Sequence, residues 1–342
     1  MIKIKLFKNK RPDSWKSILR YQELMRNQGI VFVNNINQAD ILIFTIDGGI
    51  TFPQLSGAYK QILFNSRIPV IIAERLASSI TWFREFDLIP NLKAVFKNKI
   101  VRPATLNNSA LYERRYHYKL LYDVYRKNIL EKFESPKQRS KTLKSTLTNI
   151  SEPNLNKVKL VIWDWHSSFI SEKCNDFRHA EIDYSTERGL DVFCVNRDRR
   201  GIQGWARNEA KRIVRSMKNI VSSTDQLSEK EYYETFIRSK VCVGCWGYGE
   251  WVYMDTNAFY AGVVLIKPDT NFVSTYPDLY QNNKTYIPCK PDFSDLEPKI
   301  RMVLDNYECY KPMLVNNRNM LKNITQTDLV DRFCEAIKDS LK

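Results

Sequence analysis

The sequence predicts an α/β protein made of two open, parallel-sheet domains in tandem. Three observations predict it. Short runs rich in Ile, Val and Phe alternate with helical stretches in the N-terminal part, as parallel strands covered on both faces do. The same alternation resumes after a polar, basic segment in the middle of the chain, and strands separated by helices form βαβ units. At 342 residues the chain is long enough for each half to bury its own core.

Strands are expected at Ile2–Phe7, Ile30–Val33, Ile41–Ile46, Pro69–Ala73 and Lys93–Lys97, with helices near Ser14–Asn27, Leu55–Asn65 and Ile80–Phe86. Helical spacing then runs from about Ser109 to Phe133. The stretch SPKQRSKTLKSTLTNISEPNLNK follows, with Pro136 and Pro153 as breakers, and reads as an exposed linker over about 134–157. The first domain is therefore expected over 1–155 and the second over 156–325. The second block opens with a strand at Leu160–Trp163 and continues with a strand at Leu190–Val195 and a helix near Gln203–Lys218. A strand at Ile220–Ser222, a helix near Ser228–Arg238 and a buried strand at Val241–Cys245 come next. That strand feeds a glycine turn, Trp246 to Gly249, and a helix expected to open at Glu250. Strands at Val263–Lys267 and Thr285–Pro288 precede a helix from Asp295 to about Asn306 and two more helices. The last, 326–342, is expected to pack back on the first domain. In such open sheets ligands bind at the carboxyl ends of the strands, here in a cleft between the domains.

Charge narrows the partners. Lys and Arg number 53 against 38 Asp and Glu, a net +15, which calls for anionic company. From Leu111 to Ser145 ten basic residues face four acids, and from Arg197 to Lys218 eight face two. These segments read as solvated helix faces, or as contacts to a nucleotide diphosphate, a nucleic acid or an anionic membrane surface. Nucleic acid ranks low, because the basic residues are not interleaved with a recognition motif. No run approaches the roughly 18 apolar residues of a membrane span. The N-terminal MIKIKLFKNK alternates like a strand rather than a signal peptide. Seven cysteines without such a signal suggest reduced thiols and a cytoplasmic setting.

The glycine turn is the most informative motif. A strand feeding a Gly-rich turn and a helix N-terminus converges backbone N–H groups and dipole on one point, an arrangement suited to phosphate. GYGEWV approximates G-x-G-x-x-G, with Val252 at the third glycine and Asp269 twenty residues after Gly249; the match is incomplete, so an NAD-type oxidoreductase stays an alternative. Cys242 and Cys245 form C-x-x-C inside an expected strand, where residues three apart point to opposite faces, so no metal site is predicted. No two aspartates are spaced D-x-D. A diphosphate would then be balanced by backbone N–H groups, a helix N-terminus and cationic side chains, without a metal or other cofactor. Arg197 and Arg200, beginning a loop at the carboxyl end of Leu190–Val195, are candidates for that role. Thr224 and Asp225, after Ile220–Ser222, are weaker candidates for contact with a base.

SKVCVGCWGYGEWVYMDTNAFYAGVVLIKPD, followed by TYPDLYQNNKTYIPCKPDFSDLEPKI, resembles the C-terminal donor domain of GT-B glycosyltransferases. The likeness is to exostosin-like and group 1-like enzymes of bacteria and large viruses. Gly247, Tyr248, Gly249 and Glu250 match the family's turn. Ala258, Gly262, Ile266, Pro268 and Asp269 match a middle element, and Asp292, Ser294, Asp295 and Leu296 a last one. The resemblance covers about a third of the chain and implies a GT-B fold, two Rossmann-like α/β/α domains facing a cleft. It assigns Trp246, Gly247, Tyr248, Gly249 and Glu250 to the donor's diphosphate and sugar, and places Asp255 and Asn257 near the ribose. Met254 stands where the family has arginine, and Asn257 where it has glutamate.

An inverting transferase needs a base for the acceptor hydroxyl, and a retaining one does not. Asp47 in TIDGG follows the strand Ile41–Ile46, and Gly48 and Gly49 allow a ligand to approach, although D-G also reads as a turn. Glu74, and His166 in WDWHSS, are similarly placed at strand ends. The resulting expectation is a metal-independent transferase. It would move a sugar from a UDP or GDP donor to a hydroxyl of a glycan or glycoconjugate. The alternative is a basic module binding nucleic acid or anionic surfaces.

Overall fold

The computed structural model describes residues 1–7, 16, 18–47, 57–75, 78–81, 83–109, 111, 115–132, 149–162, 175–196 and 201–342. Apolar runs with alternating faces form the strands of the first sheet. In chain order the elements are β1 (Ile2–Phe7), α1 (Gln22–Asn27), β2 (Ile30–Phe32), β3 (Ile41–Asp47), α2 (Gly57–Asn65), β4 (Val70–Arg75) and β5 (Leu92–Lys97). Then come β6 (Ile100–Val101), α3 (Tyr116–Lys132), α4 (Glu152–Leu155) and β7 (Val158–Leu160). The six-stranded sheet has the order β2-β1-β3-β4-β5-β7 and is parallel throughout.

The second half continues with α5 (Asn175–His179), β8 (Leu190–Phe193), α6 (Gly201–Ser216), β9 (Ser222–Ser223), α7 (Glu229–Ile237) and β10 (Ser239–Val243). It ends with α8 (Tyr253–Ala261), β11 (Val264–Pro268), β12 (Val273–Ser274), β13 (Ile287–Cys289), α9 (Leu296–Asp305), α10 (Tyr307–Lys322) and α11 (Gln326–Ser340). Its parallel sheet runs β13-β11-β10-β8-β9. Both sheets therefore start with one strand, send the second to one side and the rest to the other. This is the doubly wound pattern, and it sets a switch point between β1 and β3 in one half and between β8 and β10 in the other.

Alternation along each strand divides the cores. In β3, Ile41 and Ile43 face one core while Leu42, Phe44 and Ile46 face another. In β10, Cys242 lies on one side and Val241 and Val243 on the other, with Cys245 beyond the strand on that second side. The expected opposition of the C-x-x-C pair is thus observed, although β10 ends at Val243 rather than Cys245.

The halves exchange parts. Tyr118, Leu121 and Tyr122 of α3, from the first half, pack in the core of the second sheet. Leu329, Val330, Phe333 and Ile337 of α11 share a core with Ile4, Ile43 and Phe96 of the first sheet, and Gln28 donates to Asp331 at 3.0 Å. A two-stranded antiparallel ribbon, β6 with β12, crosses between the halves. Beside it Arg102 donates to Asn271 O, to Asp278 at 2.9 Å and to Tyr280 O at 3.0 Å.

Three expectations are corrected. The apolar run after the linker forms β7 at Val158–Leu160 and pairs with β5, so it completes the first sheet instead of opening the second. Residues 83–85 carry no helix, and only a short turn of 3-10 helix follows at Phe86–Leu88. The helix after the glycine turn opens at Tyr253, not at Glu250.

Candidate functional site at the facing carboxyl ends

The glycine turn follows β10 and so lies at the switch point of the second sheet. Its shape depends on Gly247, where an added Cβ would sit 2.9 Å from Val252 Cγ1. The turn directs its carbonyls into protein. Gly247 O accepts from Gln203 Nε2 at 2.8 Å, Tyr248 O from Arg115 Nε at 2.8 Å, and Glu250 O from Lys267 Nζ. Gly249 O accepts from Gly247 N–H at 3.0 Å, which closes the turn on itself. Trp246 is buried, its indole N–H donating to Thr270 Oγ1 at 2.9 Å, whereas Tyr248 at the tip is 57% exposed.

Glu250 is fully buried and joins the halves. Its Oε2 accepts from Ser79 N–H at 2.9 Å and its Oε1 from the Ser79 hydroxyl at 3.0 Å. His117 Nδ1, from α3, lies 3.0 Å from Oε1, and its Nε2 lies 3.3 Å from Gly247 O. Ser79 follows β4, so the carboxyl ends of the two sheets meet at this carboxylate. Burial alone would raise the Glu250 pKa, but the His117 charge and hydrogen bond, with Lys99 beyond, bring it down to about 2.

Around this contact is a buried ionic cluster. Lys97 pairs with Glu74 at 2.8 Å, and Lys267 pairs with Asp255. Asp255 Oδ2 also accepts from the Tyr280 hydroxyl at 2.6 Å and from Val252 N–H at 3.2 Å, which caps the start of α8. Burial, then the Asp255 charge, pushes the Tyr280 hydroxyl well above its ordinary value. Lys99, just past β5, is 6% exposed and stands over the Trp251 ring at 5.9 Å. Burial lowers its pKa to about 8 against the opposing pull of Glu250.

The structure gathers Trp246, Gly247, Tyr248, Gly249, Glu250 and Asp255 into one region. Asn257 is buried within α8, and its Oδ1 has no hydrogen-bond partner. Asp47 closes β3 opposite Arg75, at the first sheet's switch point. His166, Arg197 and Arg200 lie outside the described residues. A candidate base, Glu74, and a candidate ligand contact, Thr224, have partners within the protein. Glu74 is 2% exposed, with one oxygen accepting from Phe83 N–H at 2.9 Å and the other on Lys97, so it braces the end of β4. Thr224 Oγ1 accepts from Arg215 Nε at 2.8 Å, beside the Arg215–Asp225 pair, at the edge strand β9.

Ser79, Lys97, Lys99, His117 and Lys267 were not singled out from the sequence. A signal existed for two of them. Lys97 ends LKAVFK and Lys267 interrupts VLIKP, and a lysine inside an all-apolar parallel strand must find a buried partner. Among the described residues no group of three or more His, Cys, Asp or Glu is arranged to hold a metal ion. Burial pushes the Cys242 and Cys289 thiols well up and Cys245 to about 12, which keeps them protonated and inert. Among the described residues no helix is long and apolar enough to cross a membrane.

No family model matches the chain, and no curated protein matches it. Among solved structures it is similar to an alpha1,3-fucosyltransferase, at 12% identity and TM-score 0.43 over 100% of this chain and 89% of that one. It is also similar to a putative UDP-N-acetylglucosamine 2-epimerase from Listeria monocytogenes, at 12% identity and TM-score 0.38 over 99% and 96% of the two chains. A third is the catalytic domain of starch synthase IV from Arabidopsis thaliana bound to ADP and acarbose, at 10% identity and TM-score 0.37 over 98% and 78%.

Proposed function

We propose that this chain is a glycosyltransferase of GT-B type that moves a sugar from a nucleotide diphosphate-sugar to a hydroxyl of a glycan or glycoconjugate. The observation that carries the reading is the position of the glycine turn. It lies at the switch point of one doubly wound sheet and is fastened through Glu250 to Ser79 at the carboxyl end of the other. Open α/β sheets bind ligands at such points, and two sheets meeting there can present two substrates to each other.

In this reading the diphosphate lies at the turn Trp246–Glu250, with Arg197 and Arg200, which follow β8 in the sequence, as further cations. Charge that develops on the departing diphosphate is balanced by fixed dipoles and cations, which need no reorganisation during the step. The chain has no D-x-D pair to hold a divalent ion, and the reading is metal-independent. Glu250 and Asp255 act at one remove: the first sets the turn against the first sheet, the second holds Lys267 and the start of α8. The exposed Tyr248 ring offers an apolar face to a sugar. Asp47, at the first sheet's switch point, is the base for the acceptor hydroxyl if the anomeric carbon is inverted. The basic surface also suits an acceptor held at an anionic membrane.

A thermal-shift panel of nucleoside diphosphates tests this, followed by mass analysis of donor sugars incubated with the protein. UDP or GDP is expected to raise Tm, and the matching donor to lose its sugar. Absence of any shift across the panel would overturn the reading.

A further inference from the structure

We infer that Lys99 is the cation that the first sheet presents to the phosphate of a nucleoside diphosphate held at the glycine turn, an inference that rests on the reading above. Glu74 has Lys97 at 2.8 Å, Asp255 has Lys267, and Glu250 has His117 at 3.0 Å together with both donors of Ser79. The charged groups that face Lys99 are Glu250, Lys97, Lys267 and Asp255. Both of those acids already have partners, Glu250 in His117 and Ser79 and Asp255 in Lys267. Lys99 has no carboxylate within salt-bridge distance and no hydrogen-bond acceptor among the described residues, and it is 6% exposed over the Trp251 ring.

An ammonium in a largely buried residue is costly unless solvent, an anion or an acceptor meets it. Its location says which anion. Lys99 lies just beyond the carboxyl end of β5, and Trp251 directly follows the turn, so the amine stands where the first sheet abuts the turn. A phosphate on the turn would supply the acceptor oxygens Lys99 lacks, and an ammonium suits it as a compact point charge. The neighbouring Lys97 and Lys267 reinforce the same preference, since both disfavour a second cation and favour an anion.

The pH dependence follows from the burial. With its pKa lowered to about 8, Lys99 is charged at neutral pH and neutral at pH 9.5 in the free protein. Affinity for a diphosphate should therefore fall as pH rises through that range.

The test is calorimetric titration of the full chain with UDP, GDP and the corresponding nucleosides between pH 7 and 9.5, for wild type, Lys99→Met and Lys99→Arg. Lys99→Met is expected to weaken diphosphate binding at least tenfold at pH 7 and to leave nucleoside binding unchanged. Wild-type diphosphate affinity should decline with pH, that of Lys99→Arg should stay level, and Lys99→Met should be uniformly weak. Equal diphosphate affinity in wild type and Lys99→Met overturns the inference. Should Lys99→Met not fold, the comparison of wild type with Lys99→Arg decides, and parallel pH profiles overturn it. Failure of the wild type itself to bind any nucleoside diphosphate is the separate result that removes the functional reading, and this inference with it.

Discussion

Glu250 accepts both the backbone N–H and the hydroxyl of Ser79, a residue 171 positions earlier in the chain. One side chain thereby joins the glycine turn of the second sheet to the loop after β4 of the first. His117, from a helix that leaves the first half to pack on the second, closes the arrangement on Oε1. The carboxylate is fully buried and has three donors around its two oxygens, so it is satisfied without solvent. Its consequence is geometric. The turn cannot shift relative to the first sheet without exposing or unpairing a buried charge.

Glu250→Ala is expected to destabilise the protein by about 3–5 kcal/mol, the usual cost of leaving one member of a buried ionic pair without its partner. Ser79→Ala removes one hydroxyl donor to a charged carboxylate and keeps the backbone N–H, so its cost is about 1.5–3 kcal/mol. Urea denaturation measures both. Similar losses for the two variants would mean that the pairing with His117 contributes little.

Acid should release the same contact. The Glu250 pKa in the folded protein is about 2, below its ordinary 4.5. A carboxylate with a depressed pKa contributes stability that is present above the unfolded value and lost as pH falls through the folded one. The window is therefore from about pH 4.5 down to about 2, and the contribution is about 3 kcal/mol. Glu250→Gln should flatten the stability profile over that window relative to wild type, read by denaturant midpoints at successive pH values.

Gly247→Ala places a Cβ 2.9 Å from Val252 Cγ1. The turn or the start of α8 must move, at a cost of about 1–3 kcal/mol. Shortening the neighbour relieves the clash, so Gly247→Ala combined with Val252→Ala should be less destabilised than the sum of the two single variants. Denaturation of the three variants closes the cycle. Strict additivity would show that the close approach of Val252 is not what requires glycine here.

Much of the architecture was legible because its determinants are local. The apolar runs of β1, β3, β4, β10 and β11 and the glycine turn between β10 and α8 can be read from period and turn chemistry. What was not legible depends on distant partners. The run at Val158–Leu160 is a strand on its own evidence, but nothing local says that its neighbour is β5. Glu250 was expected to open the helix that follows the glycine turn. Its carboxylate is instead directed to Ser79, and the helix starts three residues later. Glu74 was a candidate base at a strand end, and the lysine that pairs with it lies on the adjacent strand. The place of the glycine turn at the carboxyl end of its strand was thus legible from local pattern, while the pairing of the nearby acids within the protein depends on distant residues.

Removing residues 326–342 deletes α11 and uncovers its partners in the first sheet. Leu329, Val330, Phe333 and Ile337 are all fully buried there, and each contributes about 1.5–3 kcal/mol of burial. The sum rivals the entire stability of a typical domain. The truncated chain is expected to lose cooperative thermal unfolding, whereas Lys342→Ala, which loses only an exposed pair with Asp339, should unfold as wild type does. A cooperative transition in the truncated chain would show that α11 is dispensable to the first sheet.

Lys99 links stability to binding with opposite signs. Folding lowers its pKa from 10.5 to about 8, with burial as the largest cause. Below pH 8 the amine is protonated in both states and the folded state bears the full cost of the buried charge. Between pH 8 and 10.5 the unfolded chain binds the extra proton, so stability rises with pH, and above 10.5 the cost is gone. The shift corresponds to about 3 kcal/mol. Lys99→Met keeps the aliphatic stem and removes the charge, so it should stabilise the free protein at pH 7 by up to that amount, and the gain should vanish toward pH 10.5. Denaturant midpoints of wild type and variant across pH 7 to 10.5 read this directly. A variant that is less stable than wild type at pH 7 would mean that Lys99 is needed as a counter-charge to Glu250 in the free protein. A variant that is more stable yet binds diphosphate more weakly is the expected signature of a residue kept for its ligand at the expense of the fold.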